Sequence, residues 1–291
     1  MIWIILAIFA CLAEAMRAIV IKKYFKDNTH ILVFNTRLIA FFVILLLLPF
    51  NDIMIKDGEL LKFILALVIT VSFTLIATLL KLSVIIREEI SKTSPMLALT
   101  PLFIIPWSII ILNESPSVFT LIGIIIVVIG AIIVNYNGKS TLESKMKPKS
   151  IFLILIILTL YGLTTVVDKI AISHANAYTY TFIWTLSSLL SSSYVLFVYK
   201  PKRVFKETLT KFNLLQGLLW ALAFLGQQFA VGLSMDIPMN SGYVKSIMYI
   251  GIIFSILIGG KVFKEKKLLL KLLGALTIII GNIIILYFLL K

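Results

Sequence analysis

The chain has 291 residues, of which 60% are hydrophobic and only 14% are charged, and its formal net charge at pH 7 is +14. A water-soluble protein of this length needs a charged surface that this composition does not supply, which excludes the soluble globular classes. A strongly basic chain often binds nucleic acid, but here the lysines and arginines separate long apolar segments, so we expect no nucleic-acid partner.

Ten apolar segments follow one another, each about 18 residues or longer and therefore long enough to cross a bilayer as an α-helix. They are Met1–Ile21, Ile31–Pro49, Leu61–Lys81, Glu89–Leu112, Val118–Tyr136, Ile151–Ile172, Tyr178–Tyr199, Phe212–Leu233, Met239–Phe263 and Leu268–Leu290. The first has no basic region before it and no small-residue cleavage site after it, so we interpret it as a retained helix. The sequence predicts an all-α integral protein that crosses the cell membrane many times.

The first predicted helix carries a carboxylate, Glu14, in its middle. A charge at bilayer depth costs roughly 2.5–3.5 kcal/mol on insertion scales, and such residues are usually functional. Glu14 shares a face of small side chains with Ala7, Cys11 and Ala18, so we expect it to face neighbouring helices rather than lipid. We interpret it as a substrate-binding or proton-binding residue; the alternative is a structural ion pair with a nearby arginine.

Three basic residues are candidates for the same site. Arg17 follows Glu14 by one helical turn, and Arg37 lies in the second helix; each either extends to the membrane surface or serves the site. Lys245 lies deeper, in the ninth helix, where it is able to pair with Glu14 or with an anionic substrate. Neither alternative is excluded by the sequence for any of the three.

Further candidates lie in the second half of the chain. Trp184 accompanies a row of serines and threonines in the seventh helix, and Trp220 and Gln227 lie seven residues apart in the eighth, which is one helix face. Such a face suits either a cavity wall or plain packing. Asp168 and Lys169 come at the end of the sixth helix, where we expect both to be near water and to have no role in the site.

The basic residues between the helices alternate strongly from one connection to the next. One set of connections contains most of them: Lys22, Lys23, Lys26, Arg87, Lys92, Lys139, Lys145, Lys147, Lys149, Lys200, Lys202, Arg203, Lys206, Lys211, Lys261, Lys264, Lys266, Lys267 and Lys271. The other set contains few, together with most of the acidic residues. By the positive-inside rule the first set is cytoplasmic, which puts both termini outside.

The two halves of the chain repeat one another. A glutamate, two glycines and a tyrosine recur with the same spacing, as Glu114, Gly123, Gly130 and Tyr136 and as Glu265, Gly274, Gly281 and Tyr287. Five helices per repeat force the second copy to insert upside down, as in many secondary transporters. We therefore divide the chain into a first repeat over 1–136, a basic linker over 137–150 and a second repeat over 151–291.

The repeated glutamates and glycines have a structural explanation. A glutamate close to the start of a helix interacts favourably with the helix dipole, so we interpret Glu114 and Glu265 as structural residues. Gly123 and Gly130, seven residues apart, form a small face that lets another backbone approach closely. We expect the fifth and tenth predicted helices to be packing elements that contact each other.

These repeats resemble the drug/metabolite transporter superfamily, in the form that has two EamA-type halves. The resemblance is carried by Pro101–Gly130 and Ile252–Gly281, each a long helix, a turn with a glutamate and a helix with spaced glycines. Locally, Leu12-Ala13-Glu14 followed by Lys22 resembles the first helix of small multidrug resistance exporters. That resemblance implies that Glu14 binds protons and cationic substrates in alternation. The second half departs from it, because Tyr161 stands at the position that matches Glu14.

The function that we predict is secondary transport of small metabolites or drugs, as an exporter, by alternating access to a site between the repeats and with proton coupling through Glu14. If desolvation dominates at Glu14, the carboxyl exchanges a proton for a cationic or zwitterionic substrate; if a basic partner dominates, it is a permanent counter-ion and the site suits an anion. The alternatives are uptake of anionic or sugar-like metabolites, and a non-transporting receptor or assembly protein.

An enzyme is not expected. The only histidines, His30 and His174, fall on opposite predicted faces of the membrane, and the sequence contains no nucleotide-binding loop and no zinc motif. A single cysteine, Cys11, leaves no disulfide framework. We expect no cofactor and no metal. The expected partners are a small-molecule substrate, protons and the lipid bilayer, with the protein as a monomer.

Overall fold

The computed structural model describes residues 2–24, 28–47, 52–88, 93, 96–114, 116–135, 146–237, 240–251, 254, 257–258 and 268–287. Within these ranges the regular structure is helical, apart from one isolated β-bridge between Ile55 and Ala175. Five of the described helices are long and apolar enough to cross a membrane, and four shorter helices are also apolar. The all-α prediction is therefore confirmed, whereas the count of ten spans stays a prediction.

The helices are, in chain order, α1 Ile2–Tyr24, α2 Thr29–Leu45, α3 Leu60–Arg87, α4 Thr100–Leu112, α5 Val118–Asn135, α6 Pro148–His174, α7 Ala177–Ser192, α8 Val195–Val198, α9 Pro201–Thr208, α10 Lys211–Gly232, α11 Asn240–Met248 and α12 Leu268–Tyr287. A short 3₁₀ turn, Tyr249–Gly251, follows α11. Several of the starts are capped by side chains, since Asn28 accepts from the backbone N–H of His30 at 2.9 Å and Asn176 accepts from that of Thr179 at 2.7 Å.

Some predicted boundaries were wrong. The third segment does not end at Lys81, because α3 continues to Arg87 and leaves Lys81 inside the helix. The seventh segment agrees with the candidate span Ala177–Val198, which α7 and α8 form with a break at 193–194, and the basic connection after it contains the short helix α9. The fourth and ninth segments are described only in part, as α4 and as α11 with its 3₁₀ turn; most of the linker, over 137–145, and Glu265 lie outside the described residues.

In the part of the chain that the structure describes, the main helices are α1–α5 in the first half and α6, α7, α10, α11 and α12 in the second. The first helix of each half packs against the third and the fourth of the other half, so α1 contacts α10 and α11 while α6 contacts α3 and α4. The second helices, α2 and α7, pack against each other, and so do the fifth helices, α5 and α12. The packing is thus reciprocal between the halves.

The contact between α5 and α12 depends on glycine. A Cβ atom added to Gly130 would lie 2.7 Å from the carbonyl oxygen of Gly274, and one added to Gly281 would lie 2.6 Å from that of Gly123. Both distances are far below a van der Waals contact, so only glycine permits the backbones to approach this closely. The pairing is antiparallel, and it confirms that the fifth and tenth predicted helices contact each other.

The described ends of three basic connections meet at one end of the molecule. Lys22 donates from Nζ to the carbonyl oxygens of Ile85, Ile86 and Glu88 at 3.0, 3.1 and 2.6 Å, where α3 ends. Ser150, in the first turn of α6, donates to Oε1 of Glu88 at 2.6 Å. Helix α6 therefore begins at the end of the molecule where α1 and α3 finish, and it runs in the opposite direction to α1.

The less basic connections meet at the other end. The backbone N–H of Lys56, between α2 and α3, donates to the carbonyl of His174 at 2.9 Å, and that of Met54 donates to Oγ1 of Thr179 at 2.8 Å. Lys169 of α6 pairs with Glu114, in the turn between α4 and α5, at 2.5 Å. The two loop sets defined from the sequence therefore lie at opposite ends of the helices, within the part of the chain that the structure describes.

Candidate functional site

A cavity of about 180 Å³, partly open to solvent, lies between helices from both halves. Its wall includes side chains from α1, α2, α3, α6, α7, α10 and α11, and none from the described residues of α5 or α12. All seven residues that the sequence singled out line this cavity: Glu14, Arg17, Arg37, Trp184, Trp220, Gln227 and Lys245. Sequence positions more than 200 apart are thus brought to one place.

Glu14 is held by two basic side chains. Lys81 of α3 donates from Nζ to Oε1 of Glu14 at 2.6 Å, and Arg17, one turn along α1, pairs through Nη1 with Oε2 at 3.2 Å. The Glu14 side chain keeps 30% of its surface exposed, towards the cavity, whereas that of Arg17 keeps 6%. Two close cations favour the ionised carboxylate. The sequence did not indicate Lys81 as a site residue, because the predicted helix ended at Lys81 and lysines are common at helix ends.

Arg37 lies over two indole rings. Its guanidinium carbon is 3.9 Å from the ring centroid of Trp220 and 4.7 Å from that of Trp184, which are cation–π distances. The two indoles stack with centroids 5.8 Å apart, and Phe224 packs against both, at 4.5 Å from Trp184 and 4.8 Å from Trp220. Arg37 is 1% exposed, so it forms part of the cavity wall rather than extending to the membrane surface.

Lys245 and Gln227 form a second link across the cavity. Nζ of Lys245, on α11, donates to Oε1 of Gln227, on α10, at 2.6 Å. The pairing of Lys245 with Glu14 that the sequence suggested is therefore absent, because Glu14 is taken by Lys81 and Arg17. The amide is neutral, so the opposite charge that acts on the ammonium group of Lys245 comes chiefly from the carboxylate of Asp168.

Asp168 is a cavity residue that the sequence interpretation dismissed. We expected it near water, but it is 8% exposed and lines the cavity, because α6 continues beyond it to His174. Its carboxylate accepts a short hydrogen bond from the hydroxyl of Tyr180 and another from Nε2 of Gln228 at 3.3 Å. No local sequence pattern reveals that Asp168 belongs to the cavity wall or that it pairs with Gln228, since its partners lie on other helices.

Glu114 and Lys169 take no part in this cavity. Their ion pair of 2.5 Å is largely buried, with 14% and 12% of the two side chains exposed, and it joins the end of α6 to the turn before α5. This contact supports the structural interpretation of Glu114. Lys169, which was expected near water, is a buried structural partner instead. Among the described residues no group of three or more histidine, cysteine or acidic side chains is placed to hold a metal ion.

Comparison with known proteins agrees with this architecture. The model of the EamA-like transporter family matches residues 1–136, the first of the two halves for which the sequence showed the resemblance. A Lactobacillus johnsonii protein named "Putative sugar uptake protein" is 26% identical over 174 residues, which are 58% of this chain and 58% of that protein. The match thus spans little more than half the length of this relative.

A solved crystal structure of another protein has the same fold. It superposes with a TM-score of 0.66 over 97% of this chain and 94% of its own chain, at 12% sequence identity. At this identity the likeness shows the fold alone. The family match and the apolar helices indicate a multi-pass membrane protein.

Proposed function

We propose that this chain, whose first 136 residues match the EamA-like transporter family, is a secondary transporter of small metabolites that works by alternating access. The observation that carries the proposal is the cavity. It is lined by charged side chains from both halves, Glu14, Arg17, Arg37 and Lys81 from the first and Asp168 and Lys245 from the second. Charges inside a membrane protein are expensive and usually mark a substrate or ion pathway.

The proposal includes an inverted repeat with halves at 1–136 and 151–291, joined by the linker over 137–150. Its support is the reciprocal packing of the halves and the direction of α6, which runs opposite to α1. In such transporters the substrate site lies near the middle of the membrane, between the repeats. The rocking of one repeat against the other then exposes the site to each side in turn.

For Glu14 the contacts favour one of the two roles considered from the sequence. A proton-exchanging carboxyl has to lose its cationic partners during the cycle, whereas Glu14 is held by Lys81 at 2.6 Å and by Arg17 at 3.2 Å. We therefore propose Glu14 as a counter-ion in this state, with Arg17, Arg37, Lys245, Trp184, Trp220 and Gln227 as the substrate-facing residues. Proton coupling through Glu14 remains the competing hypothesis.

Two observations suggest opposite directions of transport. The family resemblance implies export, whereas the matched relative of Lactobacillus johnsonii is named for sugar uptake. A test on purified full-length protein in liposomes addresses both, because substrate gradients and pH gradients are set independently. We expect gradient-driven flux of a small metabolite with the wild-type protein and its loss in Trp220→Ala, while Phe197→Ala, a change at a side chain 92% exposed, retains it.

The outcomes separate the functions. Flux that depends on a pH gradient in the wild type and in Glu14→Gln rejects coupling through Glu14. Binding of small molecules without flux in either orientation rejects the transporter and supports a receptor. Light scattering of the protein in detergent tests the expected monomer at the same time.

A further inference from the structure

Arg37 has a buried charge that the described residues do not neutralise. It forms no ion pair among them, and its contacts are with the faces of Trp184 and Trp220. Two of its three nitrogens, Nε and Nη1, are buried and have no hydrogen-bond acceptor in the described part of the chain. Aromatic faces compensate only part of the hydration that a guanidinium loses on burial.

The same part of the cavity wall has a second unused donor. The indole Nε1 of Trp184 is also buried, and the described residues provide it with no acceptor. Native proteins satisfy nearly all such groups, so donors that cluster without acceptors point to a missing partner. Three N–H-bearing nitrogens on Arg37 and Trp184, two side chains in contact on the cavity wall, therefore have no oxygen acceptor among the described residues.

The charges around the cavity have the same implication. Four basic residues line it against two acidic ones. Arg17 and Lys81 both pair with Glu14, Lys245 donates to the amide of Gln227 and interacts with the charge of Asp168, and the contacts of Arg37 among the described residues are with aromatic rings. The net charge of the described lining is therefore +2, four basic residues against two acidic ones, and Arg37 and Lys245 are its basic residues without an ion pair in the described part of the chain.

Resting on the proposed function, we propose that the transported substrate is a small organic anion whose carboxylate or phosphate group binds Arg37. A guanidinium offers parallel N–H donors that match two oxygens of either group. The aromatic wall then contacts the apolar surface of the substrate, and Lys245 supplies a second positive charge for a polar or acidic substituent.

The inference is tested by the thermal stability of the purified full-length protein in detergent, at constant ionic strength, with metabolites of matched size and different charge. Glucose, glucosamine and glucose 6-phosphate form one such series, and glycerol, ethanolamine, lactate and glycerol 3-phosphate another. We expect an upward shift in Tm with anionic members only. Comparison of lactate with glycerol 3-phosphate distinguishes a carboxylate from a phosphate ligand.

Arg37→Met supplies the second measurement, and Arg203→Met, at an exposed arginine on α9, is its matched control. Loss of a charged hydrogen bond predicts at least about a tenfold weaker anion affinity in Arg37→Met. Stabilisation by neutral or cationic members, anion binding that survives in Arg37→Met, or no stabilisation by any member overturns the inference. If Arg37→Met does not fold, the Tm shifts of the wild-type protein with anionic, neutral and cationic metabolites still test the inference.

Failure here is distinguishable from failure of the proposed function. Flux of a neutral or cationic compound in liposomes would support the transport function and reject an anionic substrate. Binding of an anion at Arg37 without flux would support the anionic ligand and reject the transport function.

Discussion

Lys81 on α3 donates a 2.6 Å hydrogen bond to Glu14 on α1, across 67 positions of sequence. Arg17 completes the arrangement at 3.2 Å, so one carboxylate pairs with two cations beside the cavity and the cluster keeps a net positive charge. The side chains keep between 6% and 30% of their surface, which leaves the group partly hydrated. A partly desolvated ion cluster of this kind contributes less through attraction than it costs when one member is lost.

This relationship gives the first prediction. Lys81→Met leaves Glu14 with Arg17 alone and should lower the free energy of unfolding by about 2 kcal/mol, measured by denaturation in detergent. Adding Glu14→Gln should recover part of that loss, because the uncompensated carboxylate is removed. If Glu14→Gln alone does not fold and Arg17→Met restores folding, the carboxylate is chiefly a structural partner of Arg17. Independent, additive effects of Lys81→Met and Glu14→Gln contradict the coupling.

The second prediction concerns Asp168 and Tyr180. Tyr180→Phe removes the shorter of the two hydrogen bonds to the buried carboxylate and should cost about 1.5–3 kcal/mol of stability. In an Asp168→Asn background the same change should cost clearly less, since a neutral amide needs the hydroxyl less. A double-mutant cycle measures the difference, with Tyr24→Phe as a control at an exposed tyrosine. A coupling energy of zero would refute the pairing.

The third prediction uses the glycines between α5 and α12. Gly130→Ala should destabilise the protein by about 1–3 kcal/mol, because its methyl group would meet backbone atoms at 2.7 Å. Gly242→Ala is the matched control: the nearest atom to its added methyl group lies at 3.7 Å, an ordinary contact. Melting temperatures in detergent compare the two variants. Equal stability of both would show that the helices separate readily.

The fourth prediction is the orientation in the membrane. The end of the molecule at which Lys22, Glu88 and Ser150 meet should be cytoplasmic, and both termini should be outside. A thiol-reactive, membrane-impermeant label should reach a cysteine introduced at Met54 in intact cells, but not one introduced at Phe205; both positions are exposed. The reverse labelling pattern, or a C-terminal reporter active only in the cytoplasm, would contradict the charge rule for this chain.

Many residues of the candidate site could be predicted, because a charged residue stands out within an apolar segment. Glu14, Arg17, Arg37 and Lys245 interrupt segments that otherwise read as membrane helices, and each lines the cavity. Helix periodicity likewise placed Trp220 and Gln227 on one face, and both line it too.

The pairings were not predictable in the same way. Lys81 and Asp168 were misjudged because each was assigned to a helix end, where a charge is cheap, although α3 and α6 continue by a turn or more. Arg37 meets Trp184 and Trp220 only through packing between α2, α7 and α10. No local pattern encodes such a contact, because it depends on how distant helices assemble.

The glycine contact between α5 and α12 also provides an experimental handle. The described residues of these two helices stay outside the cavity wall, yet their backbones touch. A disulfide engineered across them should therefore link the two halves away from the cavity, whereas one between α1 and α10 would link two helices that line it. The chain contains a single cysteine, which is buried, so an engineered disulfide would have almost no competing thiol.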